Sequence, residues 1–327
     1  MPATQAVYGS AEVNGQQLEL VIGGKTPRDS SGKQSSTETN VVVETQQTNK
    51  AASGKVTALG DGAAGDELAI SLTGDTVFTG TIRKTEDAIG DRTRLVAFDA
   101  LHDLKRATIS ETFDTEAAAS ALRTVADTAG INIDIRGDAS EPITATFKSA
   151  NGDAAVEKLT KLAGKVWYVS VENTLIVTDA SSVGESKQLD RIIDASAGKR
   201  SPAYQSVKVI GNTPTSRKGR QSRQLVSSQP VSATAGGGDP VYEYEDDDIA
   251  SSQQAQNVAD ALLQRLRKQQ RGGFVEVLAR SDIRPFDTVV MPPSRGGAEY
   301  LVEAVKHTVD AKNGYLTRLQ LGGVITA

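Results

Sequence analysis

Two histidines, His102 and His307, are the side chains best suited to acid-base work near neutral pH in this chain, which contains no cysteine. Neither H-x-H nor H-x-x-x-H spacing occurs, so no two imidazoles are set on one strand or helix face for zinc, and both read as structural or surface residues. The stretch GGKTPR at 23–28 resembles a phosphate-binding loop, but Glu19 stands where that pattern requires its first glycine. The acidic run EYEDDD at 243–248 lacks the alternate-residue ligands and turn glycine of a calcium loop, and reads as a solvated face or an acidic lining. No G-x-S-x-G elbow is present. A basic cluster of Arg217, Lys218, Arg220 and Arg223 stands out in an acidic chain as a candidate partner-contact loop, against the plainer reading of a flexible solvated segment. No catalytic, cofactor-binding or metal-ligating role is assigned, no cofactor is expected, and the chain reads as a non-enzyme.

The elements around these residues belong to a chain of 327 residues, long enough for two or three compact units with cores of their own. A net charge of −5 argues against a protein that coats nucleic acid, and 4% aromatic residues with one Trp leave few stacking platforms. No apolar run approaches the ~20 residues of a membrane span. The opening MPATQAVYGSAEVNG lacks the basic start and apolar stretch of a signal peptide, so synthesis in a cytoplasm is expected.

The first hundred residues read as β. QLELVIGG (17–24), NVVVETQ (40–46), GKVTALG (54–60), ELAISLTG (67–74), VFTGTIRK (77–84) and RLVAFDAL (94–101) are short runs rich in β-branched residues, bounded by Gly, Asp and Asn. That density implies a small barrel or sandwich. The polar segment 26–39 reads as a loop. Helical periodicity follows as a repeat spaced by 34 residues, in which Ile109, Thr112, Phe113, Ala121, Ala129 and Gly130 recur as Ile143, Thr146, Phe147, Ala155, Ala163 and Gly164. Each copy reads as strand, helix, strand, with Asp114 and Asn151 as N-caps and Gly130 and Gly164 ending the helices. Trp167 reads as core, and NTLIVTDA (173–180) completes the second copy. Beyond residue 185 the pattern returns to β: a strand at 203–212, a long loop at 213–240, a helix at 249–268, then strands at 273–279, 287–292, 300–307 and 315–322.

A second repeat spans the chain. RKTEDAIGDRTRLVAF (83–98) matches KHTVDAKNGYLTRLQL (306–321), with Thr85 over Thr308, Asp87 over Asp310 and Ala88 over Ala311. After a gap in the turn come Gly90 over Gly314, Thr93 over Thr317, Arg94 over Arg318 and Leu95 over Leu319.

These features resemble the tail hub proteins of the late control protein D and baseplate hub type. FTGTIRKTEDAIGDRTRLVAFDALHDLKR (78–106) resembles a G-x-I to l-x-a-x-D-x-x-x-x-L passage through Gly80, Ile82, Leu95, Ala97, Asp99 and Leu104. The ending resembles an H to G-Y-x-T-x-L pattern through His307, Gly314, Tyr315, Thr317 and Leu319, while Phe286 departs from the glycine that relatives often carry before Asp287. The resemblance implies a mainly β chain with α+β parts, in which two related tube-type β-barrel domains (1–107 and 186–327) flank small strand-helix-strand units (108–140 and 141–185). It further implies a virion tail protein, assembled as a homotrimer whose six β domains match a sixfold tube. Such a ring joins the tail tube to tip, spike or fibre proteins and passes DNA, with no membrane span. Two other readings remain at this stage: an envelope transport module of the secretin or TonB N-terminal type, and a tail-associated cell-wall hydrolase.

Overall fold

The computed structural model describes residues 9–18, 41–46, 52–59, 62–88, 92–179, 182–199, 204–211, 231–268, 271–295, 297–310 and 314–323. The loop expected at 26–39, the GGKTPR stretch and the basic cluster Arg217, Lys218, Arg220 and Arg223 lie outside these residues.

The first β unit comprises β1 (Gly9–Val13), β2 (Gln16–Leu18), β3 (Val41–Gln46), β4 (Ser53–Leu59), β5 (Glu67–Leu72), β6 (Asp75–Ala88) and β7 (Arg92–Phe98). Alternation buries Leu68, Ile70 and Leu72 of β5 on one face. On the long β6 a Cβ added at Gly80 would collide with the Phe98 carbonyl oxygen, and the Phe78 ring lies over Gly54. A Cβ added at Gly54 would stand 2.7 Å from that ring.

A middle region follows with α1 (Ala100–Arg106), β8 (Thr108–Ile109), β9 (Thr112–Ala117), α2 (Ala118–Ala129), β10 (Ile133–Ile135), β11 (Pro142–Thr146), β12 (Ala150–Asn151), α3 (Gly152–Leu162), β13 (Val166–Val169) and β14 (Leu175–Thr178). Ala100 and Leu101, expected to end a strand, open α1 instead. Asp114 is not a cap, because α2 begins after Ala117; Asn151 holds the N-cap position of α3 without a side-chain cap bond. Gly130 and Gly164 both adopt φ +67°, the left-handed conformation a helix end requires. The two copies of the 34-residue repeat exchange strand partners. Thr108 pairs with Asn151 and Ile109 with Ala150, while the repeat-related Pro142 pairs with Ala117 and Ile143 with Glu116. The copies are thus related by a local pseudo-dyad, and strands cross-pair over the boundary at 140/141. Phe113 and Phe147 meet edge to face at 6.1 Å on that axis.

The remaining elements are β15 (Ser186–Gln188), β16 (Ile192–Lys199), β17 (Ser206–Ile210), β18 (Ser232–Gly236), β19 (Val241–Glu245), α4 (Ser252–Lys268), β20 (Arg271–Leu278), β21 (Thr288–Val290), β22 (Glu299–Asp310) and β23 (Gly314–Gly323). β18 falls inside the segment expected as loop at 213–240, where it pairs with β17. Together β17, β18, β19 and α4 leave the second β unit and join α1, α2 and α3 in one hydrophobic core that includes Leu122, Leu159, Trp167, Val209 and Val258.

One 13-stranded sheet joins both β units, in the order β16-β20-β23-β22-β3-β4-β7-β6-β5-β1-β2, with β21 on β22 and β15 on β21. The path β3-β4-β7-β6-β5-β1 in the first unit recurs as β16-β20-β23-β22-β21-β15 in the second, with the strands in the same chain order. One link differs: β1 runs antiparallel to β5, whereas β15 runs parallel to β21.

Candidate assembly interface

One strand pair joins the two β units within the sheet, and Ser281 and Arg284 add hydrogen bonds to Thr73, Asp75 and the Thr76 carbonyl of the first unit. β22 divides its outer edge: Glu299, Tyr300 and Leu301 pair with β21, and Ala304 through Val309 pair antiparallel with β3. Across this seam Lys306 lies opposite Glu44, and its Nζ is 2.5 Å from the carboxylate. The β-branched run Val41, Val42, Val43 suits a central strand, and Val41 and Val43 are fully buried. From the other side come Val309 and Tyr315, which belong to the core of the first unit rather than the second.

His307 sits at the middle of the seam, buried, with Nδ1 3.0 Å from the Tyr315 hydroxyl and 3.3 Å from Thr317 Oγ1. The Arg280 N–H donates to that threonine at 3.1 Å. Burial pushes the imidazole down to about 3, so the ring is neutral in the folded state and serves as a polar rivet.

The doubled hairpin can be aligned on its own irregularities. Each copy carries a bulge, at Arg83 between Ile82↔Ala97 and Lys84↔Val96, and at Glu303 between Val302↔Leu321 and Ala304↔Gln320. Superposing the bulges sets Thr93, Arg94 and Leu95 on Thr317, Arg318 and Leu319, as sequence matching expects. On the preceding strand that matching slips: Thr85 falls on Val305 rather than Thr308, and Asp87 on His307 rather than Asp310. The second ladder continues two pairs further, to Asp310↔Gly314, than the first, which stops at Ala88↔Arg92. The same frame places Gly54 and Val56 on Gly273 and Val275, and Val42 and Glu44 on Ser196 and Gly198. A shared Gly-x-Val in β4 and β20 is the sequence signal that marks the first of these matches.

The other chemistry-bearing residues stand apart. His102 stacks on Phe98 at 4.9 Å. In the acidic run, Glu243 pairs with Lys208 at 2.9 Å, and Asp246 and Asp248 face Lys158 of α3, which makes the run a brace between β19 and the helices. Trp167 is buried and donates to Glu157 at 2.8 Å. Among the described residues no group of three His, Asp or Glu is placed to hold a metal ion. A cavity of about 600 Å³ opens between the two β units and the middle region, lined by Asp75, Asp99, Arg136, Lys187, Arg284 and Asp287 among others. Asp99, one of the positions of the hub-type resemblance, is buried there with one oxygen unpartnered, and desolvation pushes its carboxyl up to about 7. Phe286 takes φ +78°, a conformation that favours glycine, and its carbonyl leaves no room for a Cβ on Gly184.

Solved structures with this architecture include phage tail proteins. A prophage 43 kDa tail protein from Shewanella oneidensis aligns over 97% of this chain and 98% of its own, with a TM-score of 0.69 at 12% identity. A tail protein from Neisseria meningitidis aligns over 97% of both chains, with a TM-score of 0.70 at 13% identity. This is a phage tail protein fold. It reaches beyond virions: an E. coli component of the type VI secretion system, described as similar to phage T4 tail proteins, aligns over 96% of this chain and 77% of its own with a TM-score of 0.59 at 9% identity. No family profile matches the sequence, and no curated protein does.

Proposed function

We propose that this chain is the tail hub of a tailed virus, a structural protein rather than an enzyme. In this reading three copies form a ring in which six tube-type β units surround a channel, join the tail tube to tip, spike or fibre proteins, and let DNA pass. The observation that carries it is the recurrence of one strand path in two β units fused edge to edge within a single sheet. A chain so built presents two similar faces, so threefold symmetry supplies six of them and matches a sixfold partner. The tail protein fold of its structural neighbours supports the location in a virion. The basic cluster Arg217, Lys218, Arg220 and Arg223 is the proposed contact with a docking protein, and the net charge of −5 fits a channel that does not retain phosphate. Single-particle imaging of the purified protein tests the reading: threefold rings with six β units around an opening are expected, and a twofold or solid assembly overturns it.

A further inference from the structure

Each β unit owns two kinds of edge, and inside one chain one edge of each kind is used. The first unit spends β3 on the seam, and the second spends the end of β22. Left over are their counterparts. β16, the equivalent of β3, ends the sheet path and pairs only with β20 among the described residues. The end of β6, the equivalent of the seam half of β22, pairs only with β7 beyond Ile82 among the described residues, the Ile82 backbone still bonding Gly65 and Asp66.

Two observations mark β16 as an edge awaiting a partner. It is eight residues long, and an open edge of that length is a template for strand addition. Ile193 on it is 49% exposed and Leu278 on the adjacent β20 46% exposed, an apolar spot that lies just beyond Ala195, the counterpart of Val41 at which the in-chain seam ends. In β3, by contrast, Val41 and Val43 are fully buried where β22 pairs with it.

We propose that β16 of one copy pairs antiparallel with the end of β6 of the next copy, repeating between chains the seam that β3 and β22 make within a chain. This rests on the ring reading of the previous subsection and adds its contact and register. Carrying the in-chain register through the bulge alignment replaces Lys306↔Glu44 by Glu86↔Gly198 and Thr308↔Val42 by Ala88↔Ser196. The contact is heterologous, so it is repeated head to tail until the ring closes.

The absence of native cysteine makes a cross-linking test clean. Directly opposed residues in an antiparallel pair have Cα atoms about 4.5–5.5 Å apart, within disulfide reach. In the full-length double variant Glu86→Cys with Gly198→Cys, oxidation is expected to convert the monomer band to a covalent three-chain species that reductant abolishes. A Cβ at Gly198 meets nothing within 4 Å, so the substitution leaves the fold undisturbed. The pair Glu86→Cys with Asp194→Cys, displaced by four residues or about 13 Å, is expected to stay unlinked. As a second readout, Gly198→Glu places a carboxylate opposite Glu86 and is expected to lower the trimer fraction at least tenfold, with Glu86→Lys restoring it.

A trimer by native mass that fails to cross-link at Glu86→Cys with Gly198→Cys overturns the seam and leaves the ring reading standing. Cross-linking that runs on to chains of four and more supports the seam and overturns the trimer. A chain that stays monomeric at every concentration and never cross-links overturns both.

Discussion

The two hairpins at the heart of the sheet share a fold and differ in what they cover. In the second, Val305, His307 and Val309 are buried, and the two extra ladder pairs carry Val309 and Tyr315 into the core of the other β unit. In the first, the equivalent Thr85 and Asp87 are exposed, and Glu86 is held by Lys84 and by Arg94 at 3.4 Å. Burying apolar side chains makes the in-chain seam part of the folding reaction. A polar strand end instead permits a chain to stay soluble before its neighbour arrives. One architecture therefore provides a permanent joint and, in the proposed ring, a joint that forms on assembly.

The contrast breaks most visibly at Tyr315. Tyr315→Ala is expected to destabilise the fold by about 4 kcal/mol, as truncation of a buried aromatic does. Thr85→Ala on the matching face is expected to stay within about 0.5 kcal/mol. Denaturant titration of both variants checks this, and equal losses would erase the distinction between the hairpins.

Protonation offers a second cut, since the halves titrate in opposite senses. His307 has a folded value near 3, below its ordinary 6.5, so the stability it carries is full above pH 6.5 and drains as pH falls toward 3. Asp99 has a folded value near 7, above its ordinary 3.8, so its contribution is full below pH 3.8 and drains as pH rises through 7. Between pH 7 and 5 each amounts to about 2 kcal/mol, and they oppose. Asp99→Asn is expected to unmask a loss of stability on acidification from pH 7 to 5, and His307→Gln a gain. Thermal melts across that window decide it; parallel slopes in both variants would refute the assignment.

Smaller effects sharpen the picture. Gly54→Ala drives a methyl into the Phe78 ring and is expected to cost about 1.5 kcal/mol, whereas Gly272→Ala, whose new Cβ lies 3.6 Å from the nearest atom, is expected to be near neutral. Smallest is the seam ion pair. Lys306 is 45% exposed, so Lys306→Met is expected to change stability by less than about 1 kcal/mol, with the difference vanishing at high salt.

Strands whose faces differ in burial were legible from alternation alone, as β5 and β22 illustrate. β16 was not read, because a strand open along one edge and rich in Asp, Ala, Ser and Gly has no buried stripe to impose alternation. β18 was hidden for a similar reason: its sequence SATAG carries small residues inside a Gly- and Ser-rich stretch. The doubled hairpin was visible as identical letters, yet half of the letters were aligned wrongly, since the bulges that fix the register leave no mark in residue type. The cross-pairing of the 34-residue copies was equally silent, because each copy carries the same pattern whether it pairs with itself or with its twin.

The pairing of β3 with β22 also sets a timetable. Val41–Gln46 leaves the ribosome before its partner, which is synthesised more than two hundred and fifty residues later, so the nascent first unit waits without the strand that covers that edge. Contacts of such separation form slowly, and an uncovered strand is where neighbouring nascent chains on one message would adhere. Translation speed through the middle region thus becomes a determinant of yield.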